Sequence, residues 1–174
     1  MEAQKLIIAE QKQKIDNILD SSSHVFTDTY IWKINQFSKK MDQAEHDCNR
    51  DQPLVKSFYT SRGHKLQISL YLNGCGESWD EDVSIIYFNT VVGIFYDVVK
   101  WPVKAVIKYC ILKNGNEYKD LSIDTSTSGT ARCFQNPSFK TPGGFGTPTY
   151  INHGSLNVFL LNNSLSLKIQ VDYH

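Results

Sequence analysis

Five histidines, four cysteines and one acidic run are the residues of this chain whose types could carry chemistry. His24, His46, His64, His153 and His174 are scattered. None forms the His-x-x-x-His pair that grips a metal from one helix face. Cys48, Cys75, Cys110 and Cys133 lie 27, 35 and 23 residues apart, with no Cys-x-x-Cys pair. Structural zinc is usually held by closely spaced ligand pairs, so this spacing predicts no metal site and no cofactor. The scatter reads as reduced, partly buried thiols, and spacing alone assigns no disulfide among them. Asp80, Glu81 and Asp82 follow Trp79. Paired carboxylates can hydrolyse glycosides or coordinate calcium, but a run in a polar loop reads as a solvated turn. No Gly-x-Ser-x-Gly nucleophile elbow exists. The pattern predicts a protein that is not an enzyme.

The elements that would position any site set the remaining bounds. A chain of 174 residues suits one domain plus an appendage and buries roughly 70% of its unfolded surface, enough to fold without staples. Lys+Arg and Asp+Glu are both 18, a formal net charge of zero, which argues against nucleic acid as the main partner. Met1–Leu19 is charged throughout and lacks the apolar stretch of a signal peptide. No run of 18 apolar residues exists, so no membrane insertion is expected, and the free thiols point to the cytoplasm. The sequon Asn162-Asn163-Ser164 has no meaning in that compartment.

Residues 2–20 read as a helix, with Leu6, Ile7, Ile8, Ile15, Ile18 and Leu19 among Glu, Gln and Lys. Ile8, Ile15 and Ile18 fall at heptad spacing, but only about two heptads are visible, so packing on the chain's own domain is the alternative to a coiled coil. A helix this short needs a partner in water. Ser21-Ser22-Ser23 ends the pattern. From Tyr30 the period becomes two. Strands are expected at Tyr30–Phe37, Lys56–Thr60, Lys65–Leu72, Val83–Asn89, Lys104–Lys113, Thr149–Ile151, Asn157–Leu161 and Leu165–Tyr173. Turns are expected at Gly63, Asn73-Gly74 and Asn114-Gly115. Met41–Pro53, Asp124–Thr130 and Gly143–Gly146 read as loops. Seven or eight short strands with no helix in the body predict an all-β, antiparallel β-sandwich behind one N-terminal α-helix.

The stretch Ser57–Gly76, with its Tyr71-Leu-Asn-Gly74, resembles the signature of the C-terminal domain of tumour-necrosis-factor-receptor-associated factors, the TRAF family of the wider MATH group. Tyr30-Ile-Trp-Lys-Ile34 resembles that family's opening strand. Trp101-Pro102-Val-Lys104, Cys133-Phe-Gln-Asn-Pro137, Gly144-Phe-Gly146 and Leu167-Lys-Ile-Gln-Val-Asp172 are similar to later family elements, in the same order. The resemblance implies a TRAF/MATH β-sandwich over 23–174, with 1–22 as the end of a trimerising coiled coil. It implies a cytoplasmic signal-transduction adaptor that captures extended receptor tails at a sheet edge, strengthened by trimeric avidity. The implied partners are cytoplasmic tails of TNF-type or related receptors, and other TRAF-like chains as homo- or heterotrimers. Ubiquitin ligase activity would need a RING, which the cysteine spacing excludes from this chain.

Residue by residue, the resemblance implies peptide contacts from Tyr71, Gly76, Ile86, Arg132, Cys133, Phe145 and Gly146, and oligomerisation through Ile8, Ile15 and Ile18. Read without it, Tyr71 is a half-buried strand aromatic, Ile86 a core residue and Arg132 a solvated surface charge. Three positions depart from the family's site. Ser69 stands for an arginine, Cys75 for an aspartate, and Ala131-Arg132-Cys133 replaces a serine cluster. The turn at Arg62-Gly63-His64 is one residue short of the family pattern. Lost charges remove charge-assisted bonds worth roughly 1.5–3 kcal/mol each, so the expectation is a retained fold with altered peptide preference or a degenerate groove. Two other readings stand beside it. One is a carbohydrate-binding sandwich using Trp79, Tyr87 and Tyr150. The other is an oligomeric scaffold or short regulatory form with no working groove.

Overall fold

Leu165, Leu167, Ile169 and Val171 are buried, while Ser166, Lys168 and Gln170 between them are half-exposed. That alternation makes residues Leu165–Tyr173 a strand with one face on a core. The same rule builds most of the domain. The computed structural model describes residues 26–46, 52–74, 83–138 and 143–174. The strands are β1 (Thr29–Ile34), β2 (Leu54–Tyr59), β3 (Lys65–Tyr71), β4 (Val83–Val91), β5 (Ala105–Lys113), β6 (Asn116–Asp124), β7 (Phe145–Asn152) and β8 (Leu165–Tyr173). They form two antiparallel four-stranded sheets, ordered β1-β8-β5-β6 and β2-β3-β4-β7. The expected antiparallel β-sandwich is what the chain builds.

The sheets meet through Ile107, Ile111, Leu167 and Ile169 on one side and Leu66, Ile68, Leu70, Ile86 and Phe88 on the other, all at most 1% exposed. Tyr30 of β1 lies flat on Phe58 of β2, centroids 4.8 Å apart. Tyr109 of β5 donates or accepts a 2.7 Å bond with Thr147 of β7, tying the layers at their far side. The Trp101–Pro102 bond is cis.

The structure corrects several expectations. The body contains helices. Residues Phe37–His46 form α1 where a solvated connection was expected from Met41, because Phe37 and Met41, four apart, both reach the core. Its first turn is held from far along the chain: Asn163 accepts from Phe37 N through its carbonyl oxygen and from Ser38 N through Oδ1, both at 2.9 Å. Local sequence carries no sign of that cap. Asn157–Leu161 is not a strand; Leu156–Phe159 is a single helical turn, α2, whose ends Leu156 and Phe159 are both buried. Strand β6 shows no period-two pattern, because eight of its nine residues are exposed and only Ile123 is buried. It forms because Asn114-Gly115, with φ of 51° and 78°, delivers it onto β5 as a hairpin. Residues 145 and 146 belong to β7, not to a loop.

His64 closes one end of the sandwich. Its Nε2 lies 2.8 Å from the Lys100 carbonyl, which can only accept, so Nε2 carries the proton. Nδ1 then accepts from the Tyr173 hydroxyl at 2.8 Å, and Tyr173 accepts from Thr60 Oγ1 at 2.6 Å. This chain is complete with a neutral ring. Burial lowers the His64 pKa; the Arg62 charge lowers it further, against the Lys100 bond, which raises it. A lowered folded-state pKa means the unfolded chain binds the extra proton more readily. Stability from this group is therefore full above the unfolded value of about 6.5 and is lost as pH falls from there towards the folded value. We expect urea midpoints to fall between pH 7.5 and 5.5, with a slope of up to about 1.4 kcal/mol per pH unit from His64. In His64→Gln that part of the slope should vanish; an unchanged slope would assign the effect elsewhere.

Candidate peptide-binding site

The face of β3 and β4 turned away from the core is built by odd-numbered residues. The register pairs Gln67 with Asn89, Ser69 with Tyr87 and Tyr71 with Ile85. The Tyr71 and Tyr87 rings meet edge to face, centroids 6.0 Å apart. No charged side chain stands among these six residues. Strand β7 flanks β4 and is the last strand of its sheet, so its outer edge has no ladder partner among the described residues.

The β4–β7 contact is unusually close. Gly146 pairs with Tyr87, and a Cβ there would lie 2.0 Å from the Ile86 carbonyl oxygen. A Cβ on Gly144 would lie 2.7 Å from Tyr87 Cβ. Beyond Thr147 the register shifts: Pro148, Thr149 and Tyr150 stand against Ile85 alone. Proline donates no ladder bond and is at home in such an edge bulge. The bulge ends with Tyr150 1% exposed. At the other end of β4, Thr90 Oγ1 donates to the carbonyls of Gln135 at 2.8 Å and Cys133 at 3.3 Å, fixing the 3-10 turn Ala131–Phe134. The open edge is that of β7, eight residues from Phe145 to Asn152, about 26 Å of strand interrupted by the bulge.

The residues anticipated as contacts separate on this geometry. Tyr71 stands on the outer face, half-exposed, and Gly146 stands at the open edge. Arg132 is exposed on the 3-10 turn beside half-exposed Ala131, while Cys133 is 1% exposed. Ile86 is fully buried in the core, on the inner face of β4, where no peptide reaches it. Phe145 pairs with Phe88, shares its inward face and packs partly against the core. Ser69 is nearly buried at the centre of the outer face. Gly76, Cys75 and Trp79 lie outside the described residues, as do Ile8, Ile15 and Ile18. Tyr87, expected only as part of a sugar platform, shares the face of Tyr71; only the register sets it beside Ser69 and Gly146. The sugar platform of Trp79, Tyr87 and Tyr150 is not formed as expected, since Tyr150 is inside.

The two described thiols, Cys110 on β5 and Cys133 on the 3-10 turn, are not set up for nucleophilic chemistry. Burial raises the Cys133 thiol, against Arg132, which lowers it. Burial, with help from Glu117, pushes Cys110 up to about 11. Both thiols are free and are held away from the thiolate form that reacts. Among the described residues no group of three or more His, Cys, Asp or Glu could hold a metal ion, and no helix is long and apolar enough to cross a membrane.

The two antiparallel sheets form a β-sandwich in which edge strand β7 runs beside the Tyr71–Tyr87 face. The sequence matches the MATH domain family over residues 29–171, and the chain belongs to that family. Within it the likeness is to the TRAF C-terminal type. The chain is 27% identical over 155 residues to mouse TNF receptor-associated factor 1, covering 84% of this chain and 36% of that protein. It is 25% identical over 173 residues to human TNF receptor-associated factor 2, covering 96% and 33%. It thus spans about a third of the length of these relatives. The fold superimposes on the solved structure of Notothenia coriiceps TRAF5 with a TM-score of 0.72 at 22% identity, covering 99% of this chain and 87% of that one.

Proposed function

We propose that this domain captures an extended peptide along the outer edge of β7, with peptide side chains resting on Tyr71 and Tyr87. One observation carries the reading: a strand edge free of ladder partners among the described residues runs beside a side-chain-free Gly146 and a half-exposed aromatic pair. Strand addition supplies backbone bonds, and the face supplies selectivity. The relatives' names carry TNF receptor association. For this chain we infer a cytoplasmic signalling adaptor for receptor tails of that type, without catalysis of its own. The neutral Ser69, where the resemblance implies an arginine, favours peptides chosen by shape and apolar contact over charge.

Residues 1–22 are proposed to trimerise the chain, alone or with other TRAF-like chains. A trimer facing a clustered receptor converts weak single sites into avid binding through effective concentration. Light scattering, alone and with an array of acidic, glutamine-containing and uncharged receptor-tail peptides, tests both halves. A trimer that binds extended peptides supports the adaptor. A monomer that binds none supports the alternative of a sandwich with a degenerate groove. Replacing Ile8 and Ile15 together by Asp is expected to reduce the solution mass to that of one chain, while circular dichroism still reports the folded sandwich. An unchanged mass would remove the helix as the oligomerising element.

A further inference from the structure

A second site stands at the closed end of the sandwich and shares no residue with the groove. The β2–β3 turn, the loop from 92 to 104 and residues 173 and 174 line a half-open cavity of about 910 Å³. That is the size of a pocket for a drug-sized ligand. Gly63, at φ 84°, brings the turn against Val99, whose Cγ1 would stand 3.0 Å from any Cβ there, so the wall is closely fitted.

The lining has two characters. Phe95, Trp101 and Tyr173 give it aromatic walls, and Arg62, Lys100 and Lys104 give it three positive charges. No acidic residue lines it. Arg62 lies 4.1 Å over the Tyr173 ring, and none of the three cations has an ion-pair partner among the described residues. Two carboxylates stand just outside the lining and are bonded to its residues Ser61 and His174. Asp28 accepts from Ser61 N and Oγ, and Asp124 accepts from Ser126 N and pairs with His174 at 3.6 Å. The lining itself carries three cationic side chains and no carboxylate side chain, on a chain whose formal net charge is zero.

We propose that this cavity binds a small aromatic phosphate, from a phenyl ester up to a mononucleotide in size. The phosphate meets Arg62, Lys100 and Lys104, and the ring lies against the aromatic wall. Guanidinium and ammonium groups recognise phosphate oxygens through charge-assisted bonds, and a flat apolar wall recognises a ring rather than a bare ion. Three cations suit a dianionic monoester better than a single carboxylate.

The test is a nuclear magnetic resonance titration of the 174-residue chain with phenyl phosphate, AMP, benzyl alcohol, adenosine and inorganic phosphate. We expect at least one aromatic phosphate to bind ten times more tightly than its neutral counterpart and than inorganic phosphate, with amide shifts centred on Gly63, Val99 and Tyr173. AMP alone binding would mark a nucleotide-sized ligand, and phenyl phosphate alone a smaller one. Arg62→Gln, Lys100→Gln and Lys104→Gln together replace three exposed side chains, so folding persists while affinity falls at least tenfold. The proposal is overturned if neither phosphate binds, if the neutral compounds bind as well, or if shifts fall outside the cavity. It is also overturned if this face instead mediates self-association that the triple variant abolishes.

Discussion

Alanine at Gly146 is expected to destabilise the domain by about 3 kcal/mol, the upper end for overpacking. The added carbon would stand 2.0 Å from the Ile86 carbonyl oxygen, 2.9 Å from its carbon and 3.0 Å from Tyr87 Cα. All three are backbone atoms of β4, so no rotamer change relieves the clash. Only a displacement of β7 does, and that breaks the pairing of Phe88 with Phe145 and Ile86 with Thr147. Through Thr147 the effect reaches the Tyr109 hydroxyl on the opposite sheet. Gly129 is the control: a Cβ there meets nothing within 4 Å and its φ is not in the left-handed region. Gly129→Ala should therefore be neutral within about 0.5 kcal/mol. Urea unfolding of the two variants decides the matter; equal midpoints would mean that the β4–β7 contact is looser than described. Because β7 supplies the open edge, Gly146→Ala should also lose peptide binding.

The sandwich was legible in the chain because period-two burial leaves its mark residue by residue. Leu165, Leu167, Ile169 and Val171 spell out β8, and Asn114-Gly115 marks the β5–β6 hairpin. What failed to show depends on distant partners. Helix α1 is capped by Asn163, more than a hundred residues away. The polar β6 is a strand because β5 holds it, not because of its own pattern. The site was half legible for the same reason. Tyr71 and Gly146 carry recognisable neighbours in sequence. Whether Ile86 faces in or out is one residue of register, and the register turns it into the core and sets Tyr87 outward. The bulge at Pro148–Tyr150 likewise buries a tyrosine that composition alone offers to solvent.

Replacing Tyr71 and Tyr87 together by alanine is expected to weaken peptide binding at least thirtyfold, the loss of about 2 kcal/mol or more typical of aromatic anchors. Both side chains lie on the outer face, half-exposed, so the core is untouched, and the fold should survive with a loss of about 1 kcal/mol from newly exposed Ile85. The salt dependence distinguishes this groove from one that reads charge. Gln67, Ser69, Tyr71, Ile85, Tyr87 and Asn89 offer hydrogen bonds and rings but no fixed charge. Backbone ladder bonds and ring contacts are barely screened, whereas exposed charge pairs lose most of their attraction over a Debye length of about 3 Å at 1 M salt. Affinity measured by titration calorimetry should thus change less than threefold between 50 and 500 mM NaCl. A tenfold weakening would instead assign the binding energy to ion pairs. Exposed Arg132, at the far end of the edge, would be the first to test, by Arg132→Gln. If the double tyrosine variant binds as well as the parent, the peptide lies on another edge, and the aromatic face of β3 and β4 is not the groove.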